Sequence, residues 1–173
     1  AIFQTVNIDK AKINGYEIRG QIIWAELASG KLSTPFSYGA TKGTNTVDST
    51  PLNSINPSKA FVGLRFENQK VDVQLNVRHQ EAKTENDLSS PYLPKPAVAP
   101  RIRQFLVPAA VTYDMQLQWK LNKDLRINMG IDNISNKKYW NWTNVQGLAA
   151  NSFVVDAYTQ PGRYYYASIV KSF

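Results

Sequence analysis

The chain has 173 residues, no cysteine, one histidine and a formal net charge of +7. The length suits one domain, and the lack of cysteine excludes disulfides, thiolate metal sites and cysteine nucleophiles. The basic residues are scattered along the chain without a dense cluster, which argues against nucleic-acid binding.

Apolar residues make up 43% of the chain, but the mean hydropathy is −0.37 and uninterrupted apolar runs are short. A membrane-spanning helix needs about 20 consecutive apolar residues, so none is predicted. Strands of a membrane β-barrel alternate apolar and polar residues and escape such averages. The chain starts at Ala1 without a charged and apolar leader, which predicts a removed export signal or an internal piece of a longer protein.

The first part of the chain predicts two strands, at residues 3–19 and 23–28. Strand directions traced back from Phe173 require a turn between Tyr16 and Trp24, and the break in alternation at Ile22-Ile23 is consistent with one. The sequence therefore predicts a tight turn at Arg19-Gly20-Gln21, with a segment missing near Gly20 as the alternative. The stretch 27–57 that follows is rich in Ser, Thr, Asn, Gly and Pro. That composition predicts a long loop.

The middle of the chain predicts two tight hairpins. Residues 60–67 and 71–80 flank a turn near Asn68-Gln69, and residues 111–122 and 125–131 flank a turn near Asn122-Lys123. In 111–122 every second residue is apolar: Val111, Tyr113, Met115, Leu117, Trp119 and Leu121. Successive side chains of a strand point to opposite faces, so each strand has one apolar and one polar face.

The connections 27–57, 83–108 and 135–162 are long, and a last strand is predicted over 163–173. Short turns at one end and long loops at the other are typical of outer-membrane β-barrels, with periplasmic turns and extracellular loops. A soluble sandwich would space its strands more evenly. The sequence therefore predicts an all-β fold, an antiparallel transmembrane β-barrel with about seven strands in this chain.

Seven strands cannot close a barrel by themselves. Bacterial single-chain barrels have an even number of strands, eight or more, and an open edge in lipid leaves backbone groups unpaired. The sequence therefore predicts that the barrel contains further strands.

Several motifs carry a resemblance to a known family. They are Asn7-Ile8-Asp9-Lys10-Ala11-Lys12-Ile13-Asn14-Gly15-Tyr16-Glu17, Asn56-Pro57-Ser58-Lys59-Ala60, Asn133-Ile134-Ser135-Asn136-Lys137-Lys138-Tyr139-Trp140, Tyr158-Thr159-Gln160-Pro161-Gly162-Arg163 and the terminal Phe173. Together they resemble the C-terminal part of TonB-dependent outer-membrane receptors. The nearest subfamily is the one that takes up haem or removes it from haemoproteins.

The resemblance implies that residues 1–173 are about seven C-terminal strands of a 22-stranded barrel, without the plug and the earlier strands. It implies the outer membrane of a Gram-negative bacterium, contact with membrane lipid, and active uptake of haem, free or from a haemoprotein. The TonB complex would supply energy through the absent N-terminal region. Haem would be the transported ligand, with no cofactor bound permanently. A ferric siderophore or zinc receptor is the alternative, followed by a small soluble β-barrel that binds an apolar ligand.

Three aromatic residues, Tyr139, Trp140 and Trp142, are the candidate ligand-binding residues, because they stand where a strand enters a long loop. Aromatic rings stack on a flat ligand, but they also form interfacial girdles and loop cores. His79, the single histidine, falls on the apolar face near the loop end. The resemblance carries no haem-ligand role to His79, so it is interpreted as a rim residue.

Carboxylates and arginines share the predicted polar face. Glu67, Asp114 and Asp132 occur there with Arg65, Arg78 and Arg126, and we interpret them as a hydrated lumen lining, not as an acid–base pair. The sequence shows no Ser-His-Asp, metal-ligand or phosphate-loop spacing. Catalytic residues and a metal site are therefore not predicted, and neither is an enzyme.

Overall fold

The computed structural model describes residues 10–93 and 101–172. Their seven strands form one antiparallel sheet in sequence order, with β1 and β7 at its two edges. The strands are β1 (Ala11–Leu27), β2 (Gly30–Asn45), β3 (Lys59–Glu67), β4 (Val71–Gln80), β5 (Ala110–Lys120), β6 (Leu125–Asp132) and β7 (Tyr164–Lys171). The predicted all-β, antiparallel, seven-stranded fold is confirmed.

The helices are short and lie in the connections. They are α1 (Trp142–Val145) and two single-turn 3-10 helices, Glu85–Asp87 and Val155–Tyr158. Across the described ranges, no helix has the length and apolar character needed to cross a membrane.

One face of the sheet, the apolar face, is built from aligned apolar residues. Opposed residues of an antiparallel ladder share a face. The register places Phe36 opposite Val62, Val62 opposite Val77, and Val77 opposite Tyr113. Many large side chains of this face are exposed, among them Ile18, Leu64, Leu75 and Ile169. An exposed apolar surface of this extent marks contact with a membrane or another protein.

The opposite face, the polar face, is held by ion pairs and side-chain hydrogen bonds. Arg65 binds Asp72 with an Nη2–Oδ2 distance of 2.5 Å. Farther along, Gln118 Nε2 donates to Asn128 Oδ1 at 2.9 Å, and Asn128 Nδ2 donates to Ser168 Oγ at 3.1 Å. The predicted segregation of apolar and polar side chains is therefore confirmed.

The two ends of the sheet differ as predicted. Residues 28–29, 68–70 and 121–124 form the short-turn end, and residues 46–58, 81–93, 101–109 and 133–163 lie at the long-loop end. Asparagine closes two of the short turns: Asn68 Oδ1 accepts hydrogen bonds from two backbone N–H groups, and Asn122 Oδ1 does the same. Such side-chain caps are why asparagine favours turns.

The predicted turn at Arg19-Gly20-Gln21 is wrong. β1 runs unbroken through it, with Gly20 opposite Phe36. A Cβ on Gly20 would lie 2.8 Å from the Phe36 ring, so glycine makes room for this aromatic side chain. Ile22 and Ile23 pair in regular register with Thr34 and Ser33, so the strand continues through the break in alternation, and a β-bulge follows between Ile23 and Ala25. A bulge inserts one residue into a continuous strand and changes which face the following side chains occupy.

The predicted loop over 27–57 is also wrong, because most of it is β2. Its small polar residues line the polar face: Ser33 is buried and accepts a hydrogen bond from Gln21 Nε2 at 2.8 Å. Pro35 has no N–H to donate, and the β2–β3 pairing is interrupted between Ser33 and Phe36. A proline inside a sheet occurs only where such a hydrogen bond is dispensable.

The predicted number of seven strands is therefore correct, but two of the individual strands were assigned wrongly. The two predicted N-terminal strands are one strand, and the second strand lies in the predicted loop. Two parts of the motifs above, Asn7-Ile8-Asp9 and Phe173, lie outside the described residues.

Candidate functional site

The three long connections pack together into one structure, which we call the loop cap (residues 46–58, 81–93, 101–109 and 133–163). Four buried apolar residues form its centre, and four partly buried ones pack around them. The centre is Leu88, Val107, Trp142 and Val145, and the surrounding residues are Phe105, Leu106, Trp140 and Leu148. The loops therefore have a hydrophobic core of their own at one end of the sheet.

Trp142 fixes the third loop to the first. Its side chain is only 1% exposed, and Nε1 donates to the carbonyl oxygen of Asn53 at 2.6 Å. Next to it, Thr143 Oγ1 donates to Asn56 Oδ1 at 2.9 Å. A buried tryptophan normally satisfies its N–H in this way. Trp142 is thus a core residue of the loop cap.

Lys83, which no sequence motif singles out, joins all three loops. It is 4% exposed, its Nζ donates to the carbonyl oxygen of Ile55 at 2.7 Å, and Nζ lies 5.2 Å from the centroid of a Trp142 ring. Burial lowers the pKa of Lys83, against the opposing effect of Asp87. A buried cation is costly unless it is compensated, and the carbonyl and the ring provide compensation here.

Trp140 fastens the third loop to itself and to the sheet. Its Nε1 donates to the carbonyl oxygen of Val155 at 2.9 Å, and its ring meets that of Phe105 edge to face at 5.2 Å. Its own carbonyl oxygen accepts a hydrogen bond from Gln80 Nε2 at 2.9 Å. Lys138 Nζ lies 5.5 Å from the Trp140 ring centroid. The side chain is partly buried.

The Asn133 motif closes the stem of the third loop. Asn133 has a positive φ of 50°, an arrangement that asparagine tolerates better than most residues. Its Nδ2 donates to the carbonyl oxygens of Lys137 at 2.8 Å and Pro161 at 3.1 Å, and its backbone N–H donates to Asp114 Oδ1 at 2.8 Å. One side chain therefore connects both ends of the loop.

Asn136 and Gly162 complete this stem. Asn136 Oδ1 accepts a hydrogen bond from the Arg163 N–H at 2.9 Å. A Cβ on Gly162 would lie 2.5 Å from that oxygen, so only glycine leaves room for the contact. The Asn-Lys and Pro-Gly-Arg elements of the sequence are thus explained as a structural closure of the loop.

Beneath the loop cap, on the polar face, lies a cavity of about 410 Å³, which we call the polar-face cavity. Its lining includes side chains from β3, β4, β5 and the third loop, among them Lys59, Phe61, Arg78, Thr112 and Tyr139. This volume is within the range of small-molecule sites.

Arg78 forms an ion pair beside this cavity with a buried carboxylate, although the carboxylate oxygen that it approaches accepts no hydrogen bond from the described residues. Its Nε lies 3.0 Å from Asp114 Oδ2, and the Asp114 side chain is 3% exposed while that of Arg78 is 54% exposed. Burial raises the pKa of Tyr139, against the opposing effect of Arg78. The tyrosine hydroxyl therefore stays protonated and is a hydrogen-bond donor at neutral pH.

The structure places the three predicted aromatic residues in different surroundings. Tyr139 lines the polar-face cavity, while Trp140 and Trp142 belong to the loop cap. His79 lies on the apolar face opposite Ala60 and Val111, as predicted from its parity. Within the described ranges, no group of three or more His, Cys, Asp or Glu side chains is arranged to hold a metal ion.

The outer tip of the third loop presents an aromatic residue to solvent. Phe153 is fully exposed and Val154 about half exposed, whereas the next residue, Val155, is buried. An ion pair of 2.7 Å between Lys138 and Asp156 also holds this segment. The exposed ring therefore stands on an anchored turn.

Sequence comparison relates this arrangement to known proteins. Residues 1–134 match the family described as "TonB dependent receptor-like, beta-barrel". The chain is 24% identical over 165 residues to the hemoglobin and hemoglobin-haptoglobin-binding protein of Haemophilus ducreyi, covering 85% of this chain and 17% of that protein. It is 25% identical over 150 residues to hemoglobin and hemoglobin-haptoglobin-binding protein A of Haemophilus influenzae, covering 84% and 14%. The chain thus spans less than a fifth of these relatives' length.

Solved structures show the same fold. The copper transporter OprC superposes with a TM-score of 0.72 at 21% identity, over 94% of this chain and 24% of that one. The ferric enterobactin receptor PfeA of Pseudomonas aeruginosa, as a G324V mutant, superposes with a TM-score of 0.62 at 20% identity, over 96% and 23%.

Proposed function

Because the chain belongs to the TonB-dependent receptor β-barrel family, we propose that it is the C-terminal part of a receptor that takes up haem, free or from a haemoprotein. Proteins of this family are transport receptors, not enzymes, and reside in the outer membrane of Gram-negative bacteria. The haem proposal rests on one observation, the similarity to haemoglobin-binding relatives over 84–85% of the chain. Haem is the cargo in this proposal, and no resident cofactor is required.

Each face of the sheet has a role in this proposal. The apolar face contacts lipid, the polar face lines the lumen, and the loop cap is extracellular. The edges β1 and β7 pair with strands from the rest of the receptor, since unpaired backbone groups in lipid cost several kcal/mol each. A plug and the TonB-contacting segment belong to that remainder, through which the TonB complex supplies energy.

Tyr139, Trp140 and Trp142 remain the proposed ligand contacts, and their burial ranks them. Tyr139 lines the polar-face cavity, so a ligand reaches it without rearrangement. Trp140 is partly buried, and Trp142 is accessible only if the core of the loop cap opens. Tyr139 is therefore the contact that we propose first, with Trp142 supporting the loops.

A haem titration of the intact receptor tests this function. A shift of the haem Soret band on binding is the expected result, and Y139A should weaken the binding. The matched control is Y158F, in an exposed tyrosine of the same loop. An unchanged Soret spectrum would exclude haem as the cargo. A ferric siderophore or zinc would then remain, and each can be titrated into the same receptor.

A substitution at the tip of the third loop distinguishes binding of free haem from binding of a haemoprotein. An exposed aromatic side chain on an anchored turn is typical of a protein–protein contact residue. F153S should therefore weaken binding of haemoglobin to the intact receptor and leave the affinity for free haem unchanged. Equal haemoglobin binding by wild type and F153S would remove Phe153 from the haemoprotein contact.

A further inference from the structure

The charged side chains that line the polar-face cavity are of one sign, with the carboxylate of Asp114 behind them, paired with Arg78. Lys59 and Arg78 are the charged lining side chains, and no carboxylate is among the lining residues. His79 also borders the cavity, but the register puts its side chain on the apolar face. The lining is therefore cationic at neutral pH.

The register brings the two cations to the same spot. Lys59 lies opposite Gln80, and Phe61 lies opposite Arg78, so Lys59 and Arg78 are diagonal neighbours on one face. Such neighbours are roughly 7–8 Å apart. Two long basic side chains at this spacing can both reach one anionic group placed between them.

The two cations differ in how far they are already neutralised. Arg78 is partly neutralised by the ion pair of 3.0 Å between its Nε and Asp114 Oδ2, but this contact is not a hydrogen bond, and the half-exposed guanidinium keeps N–H groups for a ligand. Lys59 is exposed, and its hydrogen bond is a long one of 3.5 Å to the neutral Asn141 Oδ1. Among the described residues Lys59 forms no ion pair. The cavity therefore has unsatisfied capacity for negative charge.

Aromatic surface completes the lining. Phe61 and Tyr139 border the same cavity, and the Tyr139 hydroxyl is a donor. Such a lining suits a ligand that has an aromatic ring next to a carboxylate. The Phe61 and Tyr139 rings would contact the apolar part of the ligand, and the cations would bind its carboxylate.

We propose that the polar-face cavity is an anion subsite that binds a carboxylate of an aromatic cargo, and that it favours haem over a bare metal cation such as Cu²⁺. Haem carries two carboxylates on a flat macrocycle and fits this chemistry. The inference rests on the proposed function, and it adds a specific role for Lys59 and Arg78.

The test compares haem with its dimethyl ester, which keeps the macrocycle and removes both negative charges. The intact receptor, in detergent, is titrated with each. Exposed ion pairs are worth up to about 1 kcal/mol, so K59Q should lower haem affinity about two- to fivefold and K59Q/R78Q about tenfold. Affinity for the ester should stay unchanged. The matched control is K31Q/R126Q, which removes the same charges from the polar face at the short-turn end.

Three outcomes overturn the subsite. The first is an equal haem affinity of K59Q/R78Q and the control variant. The second is an equal loss of affinity for haem and for the ester, which would mean that the cations hold another part of the receptor. The third is tight Cu²⁺ binding that depends on Lys59. Should R78Q fail to insert because Asp114 loses its partner, K59Q alone decides.

The subsite and the proposed function can fail separately. If wild type binds no haem, the haem function is wrong, and an anionic ferric tris-catecholate chelate then tests the cavity. A two- to fivefold loss with K59Q keeps the anion subsite for a siderophore-type cargo, and no loss overturns it.

Discussion

Lys83 illustrates how one buried charge organises several loops. Its ammonium group contacts the first loop through Ile55 and the third loop through Trp142, while its own backbone belongs to the second. Hydrogen bonds to charged groups contribute about 1.5–3 kcal/mol, and a desolvated cation–π contact about 2 kcal/mol. These interactions offset the desolvation of the amine and hold the three loops as one body.

We expect K83M to loosen the loop cap and leave the barrel intact. Methionine keeps the volume but leaves the Ile55 carbonyl unsatisfied, at a cost of about 1–3 kcal/mol. Amide hydrogen exchange of the intact receptor should show faster exchange in the loop cap and unchanged exchange in β3 to β6. The control is K138M: Lys138 also lies over a tryptophan but is half exposed. Equal effects of the two substitutions would contradict the role of Lys83.

The lowered pKa of Lys83 makes the loop cap respond to alkaline pH. Between that pKa and the ordinary value of 10.5, the unfolded chain binds a proton that the native one does not. Stability therefore rises with pH in this window, and below the lowered pKa the Lys83 amine adds no pH dependence to the stability. Unfolding is followed by tryptophan fluorescence. As the pH approaches 10.5, the unfolding free energy of the wild type should rise relative to that of K83M. A difference independent of pH would show that Lys83 is not desolvated.

Within the strands, a glycine leaves room for an aromatic ring of the neighbouring strand to lie over its Cα. Gly130 of β6 lies opposite Tyr166 of β7, and a Cβ on Gly130 would overlap the Cζ and hydroxyl end of the Tyr166 side chain. Gly39 of β2 is on the same face, but the nearest atom to its added Cβ is Glu17 Cγ at 4.0 Å. These two glycines therefore differ in whether alanine can replace them.

We expect G130A to destabilise the β6–β7 pair by about 1–3 kcal/mol, the usual cost of overpacking. G39A, with open space, should change stability by less than about 0.5 kcal/mol. Urea unfolding of the intact receptor in detergent provides the measurement. In a Y166A background G130A should cost little, and this coupling is the decisive result. An equal cost of G130A with and without the ring would contradict the ring-over-glycine contact.

Across the whole molecule, the two faces of the sheet carry side chains suited to different environments. Leu117 lies opposite Val73 and Met129 on the apolar face, while Asn128 lies on the polar face between Gln118 and Ser168. Membership in the receptor family explains this separation: lipid covers one face and the hydrated lumen the other. A soluble barrel with an apolar ligand inside would enclose the apolar face instead.

L117D should therefore impair insertion into the membrane. A basic side chain on the lipid face costs about 2–4 kcal/mol near the bilayer centre, and an acidic one somewhat less. N128D, in contrast, keeps the acceptor for Gln118 and stays in the lumen. The folded fraction of the receptor in lipid vesicles should fall for L117D and not for N128D. Normal insertion of L117D would contradict lipid contact by this face.

Much of the fold could be predicted because side-chain parity is a local property. The pairs of strands β3–β4 and β5–β6 followed from alternation, and the unequal ends followed from connection lengths. β2 could not be predicted, because its serines, glycines and Pro35 resemble a loop by composition. Their place in a strand depends on partners such as Gln21, which the sequence does not identify.

The candidate site was only partly predictable for a related reason. Tyr139, Trp140 and Trp142 stood out as aromatic, but their burial differs, since each packs against a different part of the chain. Lys83 gave no signal at all, because a lysine in a polar loop is normally solvated.

The all-β class, the two hairpins β3–β4 and β5–β6, the two faces and the unequal ends can be read from the amino-acid sequence, because each depends on neighbouring residues or on the chain length between them. The folded arrangement was needed to show that β1 is continuous, that β2 is a strand, that Lys83 is buried and that Lys59 and Arg78 share a cavity. These features depend on contacts between distant residues, as in the bond of Trp142 to Asn53 across 89 positions. Burial and charge environment are set by such contacts, and no local pattern encodes them.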